Sequence, residues 1–357
     1  MITGNRTTKM ITGRLGHLAR RMSSLFLFLG MAAAPMTFPG AASAQAPSQL
    51  DHISHFEANL GAQVAVRDAS RNVLTVIQDA AATEDYDRTI LKMEINGSSI
   101  DYGNGAPLSF DTLGAILSLS YKTITGLGAT TVGAFVEGGT GSYETKNYTP
   151  PLRMDVRGDG DVEYLGGGLF FHNAFSGRAH MEASVRAGSV SNDFGARGYS
   201  GGNFDTSAAY YGAHLGFGQI FEVTDLTDLD VYGQFHWTHT DSQDFRTEDR
   251  TRMRFDNVDS YQTRLGARLT QIYFDGDMKG YIGAAWEHEF DGEAGGRTAA
   301  GALPGSHRPD LKGSSAFGEA GLIIQPVGSG YAVDLGIFGV GGEARGVGGT
   351  AGLKFEF

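Results

Sequence analysis

Residues 352–357 read G-L-K-F-E-F. Leu353, Phe355 and Phe357 alternate with Lys354 and Glu356, the two-residue period of a half-buried strand. Chain ends fray unless something ties them down. An alternating, aromatic-ended strand at the C-terminus therefore needs a pairing partner elsewhere in the chain.

Upstream segments carry the same period. In Tyr281–Phe290, Ile282, Ala284, Trp286 and Phe290 share one face, with His288 between, and Gly283, Ala285, Glu287 and Glu289 share the other. Tyr261, Leu265, Ala267 and Leu269 stand opposite Gln262, Arg264, Gly266 and Arg268. Met181, Ala183, Val185 and Ala187 oppose Glu182, Ser184 and Arg186. Leu91, Met93 and Ile95 alternate with Lys92, Glu94 and Asn96. Twelve such segments are expected, starting near residues 89, 112, 130, 162, 179, 207, 229, 259, 279, 314, 331 and 347.

A soluble sandwich also alternates, so the connections decide. Long loops are expected at 97–111, 138–161, 189–206, 241–258 and 291–313. Short turns are expected near 122–129, 173–178, 222–228, 274–278 and 326–330, with a modest last hairpin near 341–346. Long and short connections alternate when neighbouring ends lie on opposite sides of a membrane. Hydrocarbon offers no water to a free strand edge, so a spanning sheet must close. The expected fold is all-β: a closed antiparallel transmembrane β-barrel of about twelve strands. Trp237, Tyr273, Phe274, Trp286, Phe290, Tyr331, Phe355 and Phe357 fall near strand ends, as interfacial girdles do, although strands are enriched in aromatics anyway.

Composition agrees. The chain has 357 residues, 41% hydrophobic, with a mean hydropathy of −0.18. Its 53 glycines are roughly twice the average usage and lie within and between apolar segments. With no cysteine, disulfides and thiolate metal sites are excluded.

Residues 1–44 read as a signal peptide. Arg14, Arg20 and Arg21 precede the apolar run Leu25–Ala34, and Ala42-Ser43-Ala44 forms a cleavage site. A short membrane anchor is the competing reading. Cleavage after Ala44 removes five of the 28 basic residues and none of the 40 acidic ones, leaving 23 against 40. That acidic balance excludes nucleic acid as the expected partner. Residues 45–88 form a short segment before the barrel at 89–357. Ser54 and Glu57 make a capping box, and Phe56, Leu60 and Val64 follow at helical spacing. A helix is expected near 54–68, continuing toward 80. The β-branched run Asn72–Ile77 fits a helix less well, and a hairpin around Asp68–Asn72 competes.

Three stretches carry a family likeness. The first runs from Leu229 to Leu269, with L-D-V-Y-G-Q-F-H-W-T-H-T-D and F-D-N-V-D-S-Y-Q-T-R-L-G-A-R-L. The second is Y-I-G-A-A-W-E-H-E-F-D-G. The third runs from Leu311, L-K-G-S-S-A-F-G-E-A-G-L-I-I-Q-P, through D-L-G-I-F-G-V-G-G-E-A-R-G-V-G-G-T-A-G-L-K-F-E-F. Residues 89–357 resemble the autotransporter β-domain, the translocator barrel of type V secretion. The resemblance implies an outer-membrane barrel in a Gram-negative bacterium, inserted by the barrel-assembly machinery with periplasmic chaperones. It also implies a lumen plugged by a helix that links a passenger polypeptide to the first strand, and residues 54–80 occupy that place. Leu353, Phe355 and Phe357 then form the assembly signal. About ten residues separate Ala44 from the helix, so little or no passenger is expected. A stand-alone outer-membrane pore, adhesin or structural protein is the alternative.

The lumen-facing charges expected from the alternation are Lys92, Glu94, Glu182, Arg186, Arg264, Arg268, Glu287, Glu289, Glu319 and Lys354. Confined charges should pair, so ladders between strands and plug are their expected role. His172, His236 and His239 are the candidate histidines for a rim enzyme. The chain contains no H-E-x-x-H, and the strand pattern groups no serine, histidine and Asx into a catalytic set, so no enzyme, cofactor or metal is expected. Arg157-Gly158-Asp159, an integrin-type tripeptide, lies in an expected loop at 153–161. Asp155, Asp159 and Asp161 lack EF-hand spacing. A solvated acidic loop is the plainer reading of that segment.

Overall fold

The computed structural model describes residues 51–82, 86–103, 108–149, 154–197, 201–298, 308–326 and 328–357. The expected signal peptide and its cleavage site lie outside these residues.

The described chain is a helix followed by a closed sheet. Helix α1 covers Asp51–Ala81. The strands are β1 (Arg88–Tyr102), β2 (Leu108–Thr125), β3 (Gly128–Thr149), β4 (Met154–Ala174), β5 (Ala179–Arg197), β6 (Phe204–Thr224), β7 (Thr227–Thr240), β8 (Gln243–Arg246), β9 (Arg252–Phe255), β10 (Val258–Tyr273), β11 (Met278–Glu289), β12 (Gly296–Thr298), β13 (Gly313–Ile324), β14 (Tyr331–Gly342) and β15 (Ala344–Glu356). Twelve form the barrel, each paired antiparallel with its neighbours, and β1 pairs with β15 to close it. The closing register sets Ile90 opposite Glu356, Lys92 opposite Lys354 and Ile100 opposite Gly346. The remaining three, β8, β9 and β12, form a small separate sheet.

Alternation sorts the side chains as a membrane requires. Met93, Ile95, Leu117, Leu119, Val136, Leu169, Val185, Leu215, Leu265, Ile282 and Leu335 are exposed on the outer face. Their inward neighbours, such as Lys92, Glu94, Ser118, Glu137, Ser184 and Arg264, are buried. Aromatics gather at both edges of this apolar band. Tyr121, Phe221, Tyr273, Phe274, Tyr331, Phe355 and Phe357 mark the edge near the short turns. Tyr211, Tyr261, Trp286 and Phe290 mark the other, with Trp237 half-buried beside them.

The strands run farther than the sequence pattern suggests. The expected loop 138–161 is mostly strand, since β3 spans 22 residues and β4 spans 21, against about 9–11 needed to cross a bilayer. Arg157–Asp159 accordingly lies within paired strand β4, opposite Arg197, Ala196 and Gly195, rather than in a loop. The expected loops at 97–111 and 189–206 shrink in the same way. The two-residue period continues there, but its outward residues turn polar: Ser109, Asp111, Ser142, Glu144, Asp161, Glu163 and Asp193. Inward, Tyr102, Phe110, Tyr143, Val162, Tyr164, Phe194 and Phe204 stay buried. Beyond the membrane only one face of the sheet is apolar, so the lipid-facing signature fades while the strand persists.

Inward glycines make room for this packing. A Cβ on Gly160 would stand 2.3 Å from the Tyr143 ring, and one on Gly348 would stand 2.3 Å from Phe338. Each ring occupies the space a side chain would fill on the neighbouring strand.

The expected loops 241–258 and 291–313 contain the small sheet. Met253 and Phe255 are buried on its inner face, with Phe245 packed beside them. Phe255 meets Phe56 at 6.2 Å and Phe204 at 5.5 Å between ring centroids. The sheet thus closes over the N-terminal end of α1 as a lid.

Candidate functional site: the helix-filled lumen

Helix α1 runs inside the barrel from the long-loop end to the turn end. Near its start, the Asn59 side chain donates to the Asp256 carbonyl at 3.2 Å. At its end, Lys122 donates to the Ala81 carbonyl at 2.7 Å, close to where β1 begins. Every residue from Phe56 to Ser70 is buried, as expected of a helix walled on all sides. One helix spans the whole segment, so the competing hairpin at Asp68–Asn72 does not form. The β-branched run is buried too. Val73, Val76 and Ile77 pack on Ile90, Ile116, Phe135 and Phe170. Burying each such side chain contributes about 1.5–3 kcal/mol, more than the fraction of a kcal/mol lost in helix propensity.

The lumen has two zones. Toward the long-loop end, Phe56, Leu60, Val64 and Val66 join Phe110, Tyr143, Tyr164, Phe194, Phe204 and Phe255 in one apolar cluster. Gly61 is central to it. A Cβ there would meet the Tyr143 ring at 2.6 Å, so glycine lets the helix lie against that ring. The wall also holds the helix backbone. Asn192 donates to the Ala58 carbonyl at 2.8 Å, and Arg186 donates to that of Val66.

Toward the middle and the turn end the contacts become ionic. Arg67 reaches the Tyr102 hydroxyl at 2.7 Å, Asp68 at 3.3 Å and Glu289 at 3.7 Å. Arg71 reaches Glu287 at 3.4 Å. Glu287 also accepts from Arg264 Nε at 2.8 Å, so one carboxylate joins a helix guanidinium to a wall guanidinium. Arg268 forms a two-pronged pair with Glu319, both bonds 2.9 Å, and donates to Gln78 at 3.0 Å. Lys92 pairs with Asp79, lies 2.8 Å from Glu94 and 3.9 Å from Asp334. Asp79, Glu94 and Asp334 converge closely enough to ligate a cation, and the Lys92 ammonium sits among them.

The charges picked out from the alternation all lie on the inner wall. Lys92, Glu94, Glu182, Arg186, Arg264, Glu287, Glu289 and Lys354 are buried, and Arg268 is partly so. Among them, Lys92 meets Glu94, and Arg264 meets Glu287. Arg186 instead turns to Glu137 at 3.1 Å, an acceptor it shares with the Tyr210 hydroxyl at 2.7 Å. Glu182 accepts from Gln234 at 2.8 Å, Glu289 accepts from Ser260 at 2.7 Å, and Lys354 pairs with Glu356 at 2.8 Å. Leu353, Phe355 and Phe357 stand exposed on the outer wall.

Sequence reasoning passed over the helix's own half of this network: Gln63, Arg67, Asp68, Arg71 and Asp79. Its signal was available, since Arg67, Asp68, Arg71 and Asp79 recur in a stretch otherwise rich in Ala, Val and Leu. The three histidines lie apart. His172 stacks on His180 and His236 on His214, both pairs facing inward, while His239 bonds Asp259 at 2.9 Å on the outer wall.

A twelve-stranded barrel carrying a full-length lumen helix is a specific arrangement, and its sequence agrees. Residues 91–328 match the autotransporter β-domain family. The chain belongs to that family. Among solved structures, the β domain of the Bordetella autotransporter BrkA aligns with a TM-score of 0.61 at 16% identity, over 76% of this chain and 100% of that one. The transport unit of AIDA-I from Escherichia coli aligns at 0.59 and 17% identity, over 79% and 97%. The translocator domain of NalP from Neisseria meningitidis aligns at 0.59 and 12% identity, over 83% and 97%. At such identities these likenesses establish the fold. No protein of curated function matches the chain in sequence. Membership places this autotransporter barrel in the outer membrane as a translocator of type V secretion. Its short-turn end faces the periplasm and its long-loop end faces outward.

Proposed function

We propose that α1 is both tether and seal of this translocator: it holds the short segment that precedes it at the outer face and blocks the lumen behind it. The observation that carries this reading is the course of the helix. Its 31 residues extend about 46 Å, longer than the hydrocarbon core, with the N-terminal end at the external mouth. The apolar zone at that mouth excludes water, and the ionic zone fixes the helix in rotation and depth.

The remaining steps follow the same reading. Residues 1–44 direct export and are removed after Ala44. Periplasmic chaperones carry the unfolded chain, and the barrel-assembly machinery inserts it, reading Leu353, Phe355 and Phe357 on the last strand. The lumen charges act as fasteners, and the barrel itself performs no catalysis.

A reporter inserted between residues 44 and 51 tests this reading in intact cells. Its exposure to external antibody, with the barrel intact, is the expected result. Retention of the reporter in the periplasm beside a correctly assembled barrel would contradict it.

A further inference from the structure

The lid bears a surface that the translocator role does not use. In its small sheet, Arg246 pairs in register with Arg252, Asp244 with Arg254, and Arg254 with Arg297. Alternation puts these five residues on the side away from the lumen, while Gln243, Met253, Phe255 and Thr298 are buried on the inner side. The outer side thus presents four guanidiniums and one carboxylate on a chain of net charge −12. Like charges directly opposite one another on adjacent strands are destabilising, so the arrangement costs the lid stability.

Nearby carboxylates offset it only in part. Asp244 lies 3.3 Å from Arg254 and 4.0 Å from Arg252. Glu248 accepts from Asn203 at 3.0 Å, and Asp249 accepts from the Thr251 backbone at 2.9 Å, so both are tied into the hairpin and its flank. Glu293 is engaged by Arg308 at 2.9 Å and Lys312 at 3.3 Å. Residues 104–107, 150–153, 198–200 and 299–307 contain no Asp or Glu. Arg252 remains 67% exposed along its side chain.

We infer that this face of the lid docks a linear sulfated polysaccharide outside the cell. Guanidinium forks match the oxygens of sulfate and phosphate two at a time. Cross-strand neighbours lie about 5 Å apart and the next row about 7 Å along the strand, so one extended chain can meet both rows. The geometry favours a polymer arriving from solution over the membrane's own phosphates. The basic side caps the mouth, whereas the outer wall at this end carries Asp241 and Asp259 around His239.

The test uses the full chain in phosphatidylcholine nanodiscs free of lipopolysaccharide, with a heparin octasaccharide as probe and titration calorimetry as readout. Binding is expected, weakening strongly as salt is raised. The R246Q/R252Q/R297Q variant should bind about tenfold more weakly or worse, and R178Q, at the turn end, should bind as wild type. Heat-modifiable gel mobility verifies assembly, and Arg297→Gln alone replaces the triple variant if that fails to assemble. Absence of wild-type binding, or equal binding by the lid variants, would overturn the proposal. Displacement of heparin by lipopolysaccharide micelles at lower concentration would overturn it as well, assigning the face to the membrane's own phosphates.

Discussion

Phe357 and Thr89 exchange both of their backbone hydrogen bonds, Thr89 N–H to the Phe357 carbonyl at 2.9 Å and Phe357 N–H to the Thr89 carbonyl at 3.0 Å. The last residue of the chain is thereby fixed to the first barrel strand, and it stands 61% exposed on the outer wall at the periplasmic edge. Removing it deletes the final rung of the closing ladder and an interfacial anchor together. Deletion of Phe357 is expected to lower the heat-modifiable fraction recovered from outer membranes, with Phe357→Trp restoring it. Undiminished assembly without the residue would leave closure independent of that rung and refute its part in the assembly signal.

The second prediction concerns Gly61. Glycine within a helix costs about 1 kcal/mol relative to alanine, yet here its bare backbone abuts Tyr143. Gly61→Val should force helix and ring apart, lowering plug stability by about 1–3 kcal/mol. Protease sensitivity of α1 in the folded barrel measures this. Adding Tyr143→Ala should recover part of the loss, because the collision disappears. Equal protection of wild type and the single variant would mean that the helix does not press on Tyr143.

Glu287 is the third target. It joins Arg71 on the helix to Arg264 on the wall, with all three groups largely buried. Glu287→Gln leaves two guanidiniums without their shared carboxylate, and breaking such a buried pair costs about 3 kcal/mol or more. Amide exchange along residues 60–77 should quicken about a hundredfold, while barrel strands away from the site keep their protection. Unchanged helix exchange would place the anchoring energy in the apolar zone alone.

Much of this architecture is legible in the sequence, for physical reasons. Leu91–Asn96 and Tyr281–Phe290 show their faces because lipid demands apolar residues on one side and a polar lumen allows charge on the other. The β3–β4 extension is hidden because outside the membrane Ser142, Asp161 and Glu163 look like loop residues, although Tyr143 and Val162 continue the strand. The helix beyond Ser70 is obscured because Val73–Ile77 reads as strand until a surrounding wall is available to bury it. The wall charges follow from period two. Their helix partners Arg67, Arg71 and Asp79 do not, because pairing between a helix and a barrel has no fixed sequence separation. The lid is the least legible element: β12 has three residues and finds β9 across about forty residues of chain.

The central claim is that α1 seals the lumen, and planar-bilayer conductance tests it most directly. The full chain should give small, rarely open currents, and a chain lacking residues 45–85 should give a large, stable conductance through the same barrel. Equal conductance from the two proteins, both shown to be assembled by heat-modifiable mobility, would contradict the account.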